Sequence, residues 1–421
     1  MKYILLNIFL LVNTLFSQQD SGSIYNNPGL KDLINSAIIN NSKLEPIEYE
    51  KKILSAAVNT VNQQSAPMAQ VMVDNLPVNF MNPGEYIFTY SQPLKLFGKL
   101  DAQENLAVEM SKKPDIDRKE LEIDLIKSIK ENYYLLSLNE RLMSFNIEYR
   151  QILEGITKSI EIRYSAGKGS QYEILKSNNE YQKLLLEEIT LKNDRLILIN
   201  NLALLSGKSL SYDFATKNVD LLFQLQPPEL DSSRLFTDAK IGNTEFQFLD
   251  QQNEENNAEL NIAKLERKPD IELMPGYKYM TEIQESFLLF SVSVEMPFMP
   301  WNAKRIKAEI TEKDLMRKKI NSEIKSLEVN LKNEIKNTVQ KINSAQEKIT
   351  YLSRILIPQT EQTFKSSLIS YETAAVQFSD LLDTYRVLRE NNEMLVKEET
   401  GYLILISSLE KLTGKQILTI N

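Results

Sequence analysis

The 421-residue chain contains no cysteine and no histidine. Without cysteine there are no disulfides, no thiolate metal ligands and no lipidated thiol. Without histidine the commonest general base and the commonest zinc ligand are also missing. Carboxylates remain for hydrolytic chemistry, but the composition points away from an enzyme and away from a bound metal or cofactor. Past the first residues, no window holds the roughly 18 uncharged apolar residues of a membrane-spanning helix. Basic residues do not cluster, and the net charge of −8 argues against nucleic acid as a partner.

At the start of the chain, Lys2 precedes the apolar run from Tyr3 to Val12, and the small and polar pair Ser17-Gln18 follows. This pattern predicts an export signal over residues 1–17, removed from a mature chain that starts near Gln18.

The most informative feature is an internal duplication. A shift of 202 residues superposes Leu33 on Leu235, Ala37 on Ala239, Asn41 on Asn243, Ala56 on Ala258 and Pro67 on Pro269. A shift of 207 superposes Tyr164 on Tyr371, Leu175 on Leu382 and Gly207-Lys208 on Gly414-Lys415. The tetrapeptide Leu196-Ile197-Leu198-Ile199 recurs as Leu403-Ile404-Leu405-Ile406. The expected organisation is a first repeat over 18–210, a linker over 211–231 holding Pro227-Pro228, a second repeat over 232–416 and a tail over 417–421.

Each repeat reads as a helix, two short strands, a very long helix, a turn and another helix. Alternation places strands at about 67–75, 85–93, 269–280 and 287–297. Tyr86, Phe88, Tyr90, Tyr277 and Tyr279 then share one side, and Thr89, Ser91, Glu272 and Lys278 the other. Strands of this length, apolar and aromatic on one side, suit a membrane barrel with a lipid-facing exterior and a wet lumen. Four strands cannot close a barrel, so several chains must share one. The segments from about 100 to 162 and 303 to 368 are poor in glycine and rich in Leu, Ile, Lys and Glu. At 1.5 Å per residue each reaches roughly 90–100 Å, with Pro114 and Pro358 as expected irregularities.

These features, together with Arg163-Tyr164-Ser165-Ala166-Gly167-Lys168-Gly169-Ser170, Tyr371 through Asp383, and the strand exits at Phe97-Gly98-Lys99 and Pro300-Trp301, resemble the TolC family of outer-membrane efflux proteins. The resemblance covers nearly the whole mature chain. It implies a mainly α fold with a membrane β-barrel contribution. In that fold a trimer builds a twelve-stranded barrel and a periplasmic α-helical tunnel from the duplicated helix–hairpin–long helix–helix unit.

The family's function implies a passive exit duct, in the outer membrane of a Gram-negative bacterium, for a tripartite system. Its partners would be a periplasmic adaptor (membrane fusion) protein, an inner-membrane pump of the RND class and outer-membrane lipid. Met296-Pro297-Phe298 and Pro300-Trp301 lean toward the heavy-metal branch. Multidrug and type I secretion ducts of the same family are the alternatives. A methionine set of Met68, Met72, Met274 and Met280 suits soft cations, although methionine more often only fills space.

By matching positions, Asp380, Asp383, Tyr371 and Glu173 are expected at the periplasmic aperture, and Gly167, Ser170 and Ala374 at the helix-tip contacts with the adaptor. The family's latch arginine is replaced by Val376. Two readings from other classes compete. One is a periplasmic coiled-coil adaptor. The other is an exported hydrolase using Glu187-Glu188 or Glu254-Glu255, pairs that read as solvated helix surface.

Overall fold

The computed structural model describes residues 28–76, 83–216 and 230–417. The expected signal segment, Pro227-Pro228 and the end of the tail lie outside the described residues. The first repeat runs α1 (Pro28–Asn40), α2 (Leu44–Val61), β1 (Met68–Asp74), β2 (Glu85–Leu94), α3 (Lys99–Met110), α4 (Lys113–Ser165) and α5 (Gln171–Ser206). The second runs α6 (Ser232–Gly242), α7 (Thr244–Leu265), β3 (Ile271–Met280), β4 (Glu285–Val294), α8 (Pro300–Tyr351), a π-helical turn (Leu352–Leu356), α9 (Ile357–Glu372) and α10 (Phe378–Thr413).

The chain forms two compact units, each drawing on both repeats. One comprises Met1–Leu44, Glu120–Asn243 and Asn330–Asn421; the other comprises Glu45–Lys119 and Thr244–Val329. No described helix is long and apolar enough to cross a membrane.

Within the first unit the duplication extends to individual hydrogen bonds. Asn41 donates its side-chain amide to Leu205 O at 3.0 Å, and Asn243 donates to Leu412 O at 3.2 Å. Gly207 and Gly414 end α5 and α10 with φ of 64° and 65°. A Cβ there would stand 2.8 Å from Asn40 O in the first repeat and 2.4 Å from Gly242 O in the second. Both the left-handed backbone and the close approach therefore demand glycine.

One expectation needs correction, and the irregularities expected at Pro114 and Pro358 are both present. The single opening helix of each repeat is two helices. Asn41 breaks the first by accepting from Lys43 N at 3.0 Å through its side-chain oxygen, a local turn that competes with the helix. The long segment expected from about 100 breaks at Ser111-Lys112, just ahead of Pro114. The other breaks at the π turn, where Ile357 donates to Leu352 O and the wider turn accommodates Pro358, which has no N–H.

The strand bounds shift by at most three residues, and the start of β2 and the end of β3 stand where expected. β4 starts at Glu285 and ends at Val294. Glu295 N still reaches Asp270 O at 2.9 Å, after which Pro297 offers no donor and the chain turns into α8.

In the second unit the four strands form one antiparallel sheet in the order β1-β2-β3-β4. Register aligns Val71 with Phe88, Phe88 with Tyr277 and Tyr277 with Leu288, an apolar row crossing all four strands. Val73, Tyr86 and Tyr279 form the next row, and Leu273 pairs with Val292 on the same side. The other side carries Gln70-Thr89-Gly276 and the ion pair of Lys278 with Glu85. The expected segregation of the aromatic residues from Thr89, Ser91, Glu272 and Lys278 is therefore present in the register. Among the described residues, β1 and β4 are each paired on one edge only, and every residue of both is exposed.

Candidate functional site

The helix tips of the first unit bring the two repeats together. α4 and α9 end in turns with the same hydrogen bonds. Gly167 N donates to Tyr164 O at 2.9 Å and Lys168 N to Arg163 O at 2.8 Å; Ala374 N donates to Tyr371 O at 3.0 Å and Ala375 N to Ser370 O at 2.8 Å. Gly167 holds φ at 71°, and Ala374 takes the same left-handed conformation at 61° without being glycine. Ser170 then precedes α5 as its N-cap residue, and Gln377 precedes α10 in the equivalent place.

Below the turns, α4, α5, α9 and α10 close around a buried cluster that includes Leu153, Ile156, Leu184, Phe364, Tyr371 and Tyr385. Tyr149 and Tyr385 pack edge to face at 6.0 Å, and Tyr371 lies 6.0 Å from Phe378. Ion pairs tie the helix surfaces together: Arg150 to Glu188 at 2.8 Å and Arg389 to Glu187 at 2.5 Å. Glu187 and Glu188 are thus engaged in helix pairing, which removes the basis for reading them as a catalytic pair.

A cleft of about 620 Å³ opens at the tips, lined by Arg163, Glu173, Tyr371, Phe378 and Asp380 among others. Tyr371 is 1% exposed and donates its hydroxyl to Glu173 Oε2 at 3.0 Å. The Arg163 guanidinium stacks on the Tyr371 ring, 4.3 Å from its centre, and also donates to the Tyr371 carbonyl oxygen. Burial pushes the Tyr371 hydroxyl up to about 12, and the bond to the negative Glu173 adds to this while Arg163 opposes it. Arg163 is the residue that sequence reasoning named without a role. It reaches Tyr371 from the other tip, 208 residues away. Val376 packs against the buried cluster.

The two aspartates diverge. Asp380 is the third residue of α10 and closes a capping box: the Gln377 N–H donates to Asp380 Oδ2 at 3.4 Å while the Asp380 N–H donates back to the Gln377 side chain. Asp383 is 71% exposed and meets Arg386 at 3.4 Å. Glu173 is the third residue of α5, as Asp380 is of α10, yet it serves Tyr371 and caps nothing. The tips thus bring Tyr371, Glu173 and Arg163 together, place Asp380 along the same cleft, and leave Asp383 on the surface.

In the second unit, Met68, Met72, Met274 and Met280 all fall on the sheet side opposite the aromatic row, but no two stand opposite each other on neighbouring strands.

No protein-family description matches this sequence, and no curated protein matches it. Solved structures do match. CusC, studied for the conformational changes accompanying folding and transmembrane channel formation, aligns with a TM-score of 0.79 at 17% identity over 95% of this chain and 96% of its own. The outer membrane protein VceC from Vibrio cholerae aligns at 0.74 and 14% identity, over 94% of this chain and 98% of its own. The open-state MtrE outer membrane channel of Neisseria gonorrhoeae aligns at 0.73 and 16%, over 92% and 89%. At these identities the likeness is one of fold, and over nearly its whole length this chain has the fold of the TolC-type outer-membrane channels.

Proposed function

We propose that this chain is the outer-membrane exit duct of a tripartite efflux system. Three copies each contribute the four-stranded sheet to one barrel and their long helices to a periplasmic tunnel. The observation that carries this reading is the sheet: one side is apolar across all four strands, and both outer edges are unpaired among the described residues. In lipid each unpaired backbone group costs several kcal/mol, and pairing β4 of one copy with β1 of the next removes that cost. The duct is passive, and no reaction is assigned to it.

Isolation of the mature chain in detergent tests this. A stable trimer is expected. Single cysteines placed on β1 and β4 of this cysteine-free chain should link copies into closed threes. A monodisperse monomer overturns the reading.

At the tips, Tyr371, Glu173, Asp380 and Asp383 are the proposed periplasmic aperture, supported by the Tyr371–Glu173 bond that holds the second repeat's tip to the first. Gly167, Ser170 and Ala374 at the exposed turns are the proposed contacts for a periplasmic adaptor, which joins the duct to an inner-membrane pump of the RND class.

Heavy-metal cations are the proposed cargo, supported by the Met296-Pro297-Phe298 strand exit and by the four methionines on the side of the sheet away from the aromatic row. Deleting the gene should sensitise cells to copper or silver more than to hydrophobic drugs. The opposite pattern assigns the duct to multidrug export, and loss of a secreted protein assigns it to type I secretion.

A further inference from the structure

A strand that meets lipid on one side and water on the other needs apolar residues on one side only. β4 carries four in a row, Phe287-Leu288-Leu289-Phe290, and is therefore apolar on both. Leu288 and Phe290 continue the aromatic side of the sheet, at 89% and 73% exposure. Phe287 and Leu289 lie on the opposite, wet side, where Lys278 and Gly276 are their register partners, and they are 39% and 37% exposed. Apolar side chains on the wet side of such a sheet call for something that covers them.

The wet side is ordered in rows at the end of the hairpin turns. The outermost row is Asp74, Glu85, Met280 and Glu285, and the next is Met72, Ile87, Lys278 and Phe287. On β1, β2 and β4 an acid thus stands two residues from an apolar side chain on the same side, about 7 Å along the strand. β3 reverses the order. Its Lys278 is drawn to Glu85 in an ion pair, so Asp74 and Glu285 give the outer row its negative charge. Leu289 extends the apolar row by one pleat. Opposite it, a Cβ on Gly276 would stand 2.9 Å from Phe88 O and 3.1 Å from Thr89 Cγ2, so β3 offers Leu289 no side chain in register.

We propose that these two rows form a binding site on the wet side of the sheet for organic cations with a large apolar body, such as phosphonium or quaternary ammonium ions with aromatic arms. Phe287 and Leu289 take the apolar body, the Phe287 ring meets positive charge through its face, and Glu285 supplies the opposite charge one pleat away. Charge complementarity selects this occupant. A neutral apolar molecule gains nothing from the acid row, and a hydrated metal ion gains nothing from the apolar row. Pairing β4 with β1 of the next copy adds Met72 and Asp74, which hold the same two rows on the same side of their own sheet. The proposal rests on the reading of the sheet as a barrel wall and goes beyond the metal cargo proposed above.

The full mature chain in planar bilayers tests this, with tetraphenylphosphonium or tetramethylammonium added on the side of the hairpin turns. Tetraphenylphosphonium should block the current about tenfold more strongly than tetramethylammonium, which has the same charge but little apolar surface. Phe287→Ser with Leu289→Ser should weaken that block about tenfold, and Glu285→Gln about threefold, with the unblocked current of both variants kept. Asp380→Asn with Asp383→Asn should leave it unchanged. Block that is equal for the two cations, that survives the serine pair, or that is abolished by the asparagine pair overturns the site. If the serine pair does not assemble, Phe287→Leu keeps the apolar bulk and removes the ring, and undiminished block by tetraphenylphosphonium then overturns it. Parent channels that conduct without block overturn the site alone, and a chain that neither inserts nor conducts overturns the duct as well.

Discussion

The hydroxyl of Tyr371 reaches Glu173 Oε2 at 3.0 Å across 198 residues of sequence, joining the last turn of α9 to the first turn of α5. Removing it with Tyr371→Phe leaves the ring and its Arg163 contact in place but frees the carboxylate. With the hydroxyl buried and the carboxylate only partly so, a hydrogen bond to a charged group is worth about 1.5 kcal/mol. The expected outcome is a loss of that size in denaturant unfolding, together with a larger open-channel fraction in planar bilayers. Unchanged gating with the stability loss would make the bond structural only.

Asp380 has two separable roles, because asparagine keeps the capping acceptor and removes the charge. Asp380→Asn with Asp383→Asn should lower cation selectivity and block by multivalent cations from the periplasmic side, with little change in melting. Asp380→Ala should in addition cost about 1 kcal/mol through loss of the cap. If the asparagine pair conducts and is blocked like the parent, these residues are not the aperture.

Ala374 occupies a left-handed position that Gly167 fills in the first repeat. Strain of about 1 kcal/mol is relieved by Ala374→Gly and offset in part by the greater freedom of glycine in the unfolded chain. A net gain of about 0.5 kcal/mol is expected. Gly167→Ala, with open space around its Cβ, should lose about 1 kcal/mol from backbone strain alone. Melting shifts of opposite sign, the loss about twice the gain, check the pairing of the turns.

Burial pushes the Glu180 carboxyl up, but hydrogen bonds and charge from Arg386 and Lys183 outweigh it and hold the group below its ordinary 4.5. A carboxyl with a lowered folded-state value stabilises above the unfolded value and loses that contribution as pH falls through the folded one. Melting temperature should therefore fall as pH drops below 4.5, and Glu180→Gln should flatten that fall. An unchanged slope in the variant would assign the acid sensitivity elsewhere.

Cysteine introduced into this cysteine-free chain reads the register directly. Thr89→Cys and Lys278→Cys should react with membrane-impermeant thiol reagents through the lumen, and Phe88→Cys and Tyr277→Cys should not. The reverse pattern would turn the sheet inside out.

The duplication and the two sides of each strand were legible from residue order, because a period of two and a repeated spacing are properties of the chain itself. Pro114 and Pro358 marked two helix irregularities, since a missing N–H acts locally. The breaks at Asn41 and Asn243 were hidden, because asparagine is compatible with a helix until its side chain finds a carbonyl at Leu205 or Leu412. Tyr371 and Glu173 were each singled out in the sequence by resemblance to a known pattern, but their bond to each other was not legible there. Nor was the role of Arg163, because nothing in its neighbourhood names a partner 208 residues on.

By itself the sequence determined which residues form strands and long helices and that one unit occurs twice, since local periodicity and backbone donors decide those matters. Only the tertiary structure decided how the two copies differ. It set one third-position acid to cap α10 and its counterpart to hold a tyrosine, because equivalent positions acquire unequal partners once four helices pack at one tip.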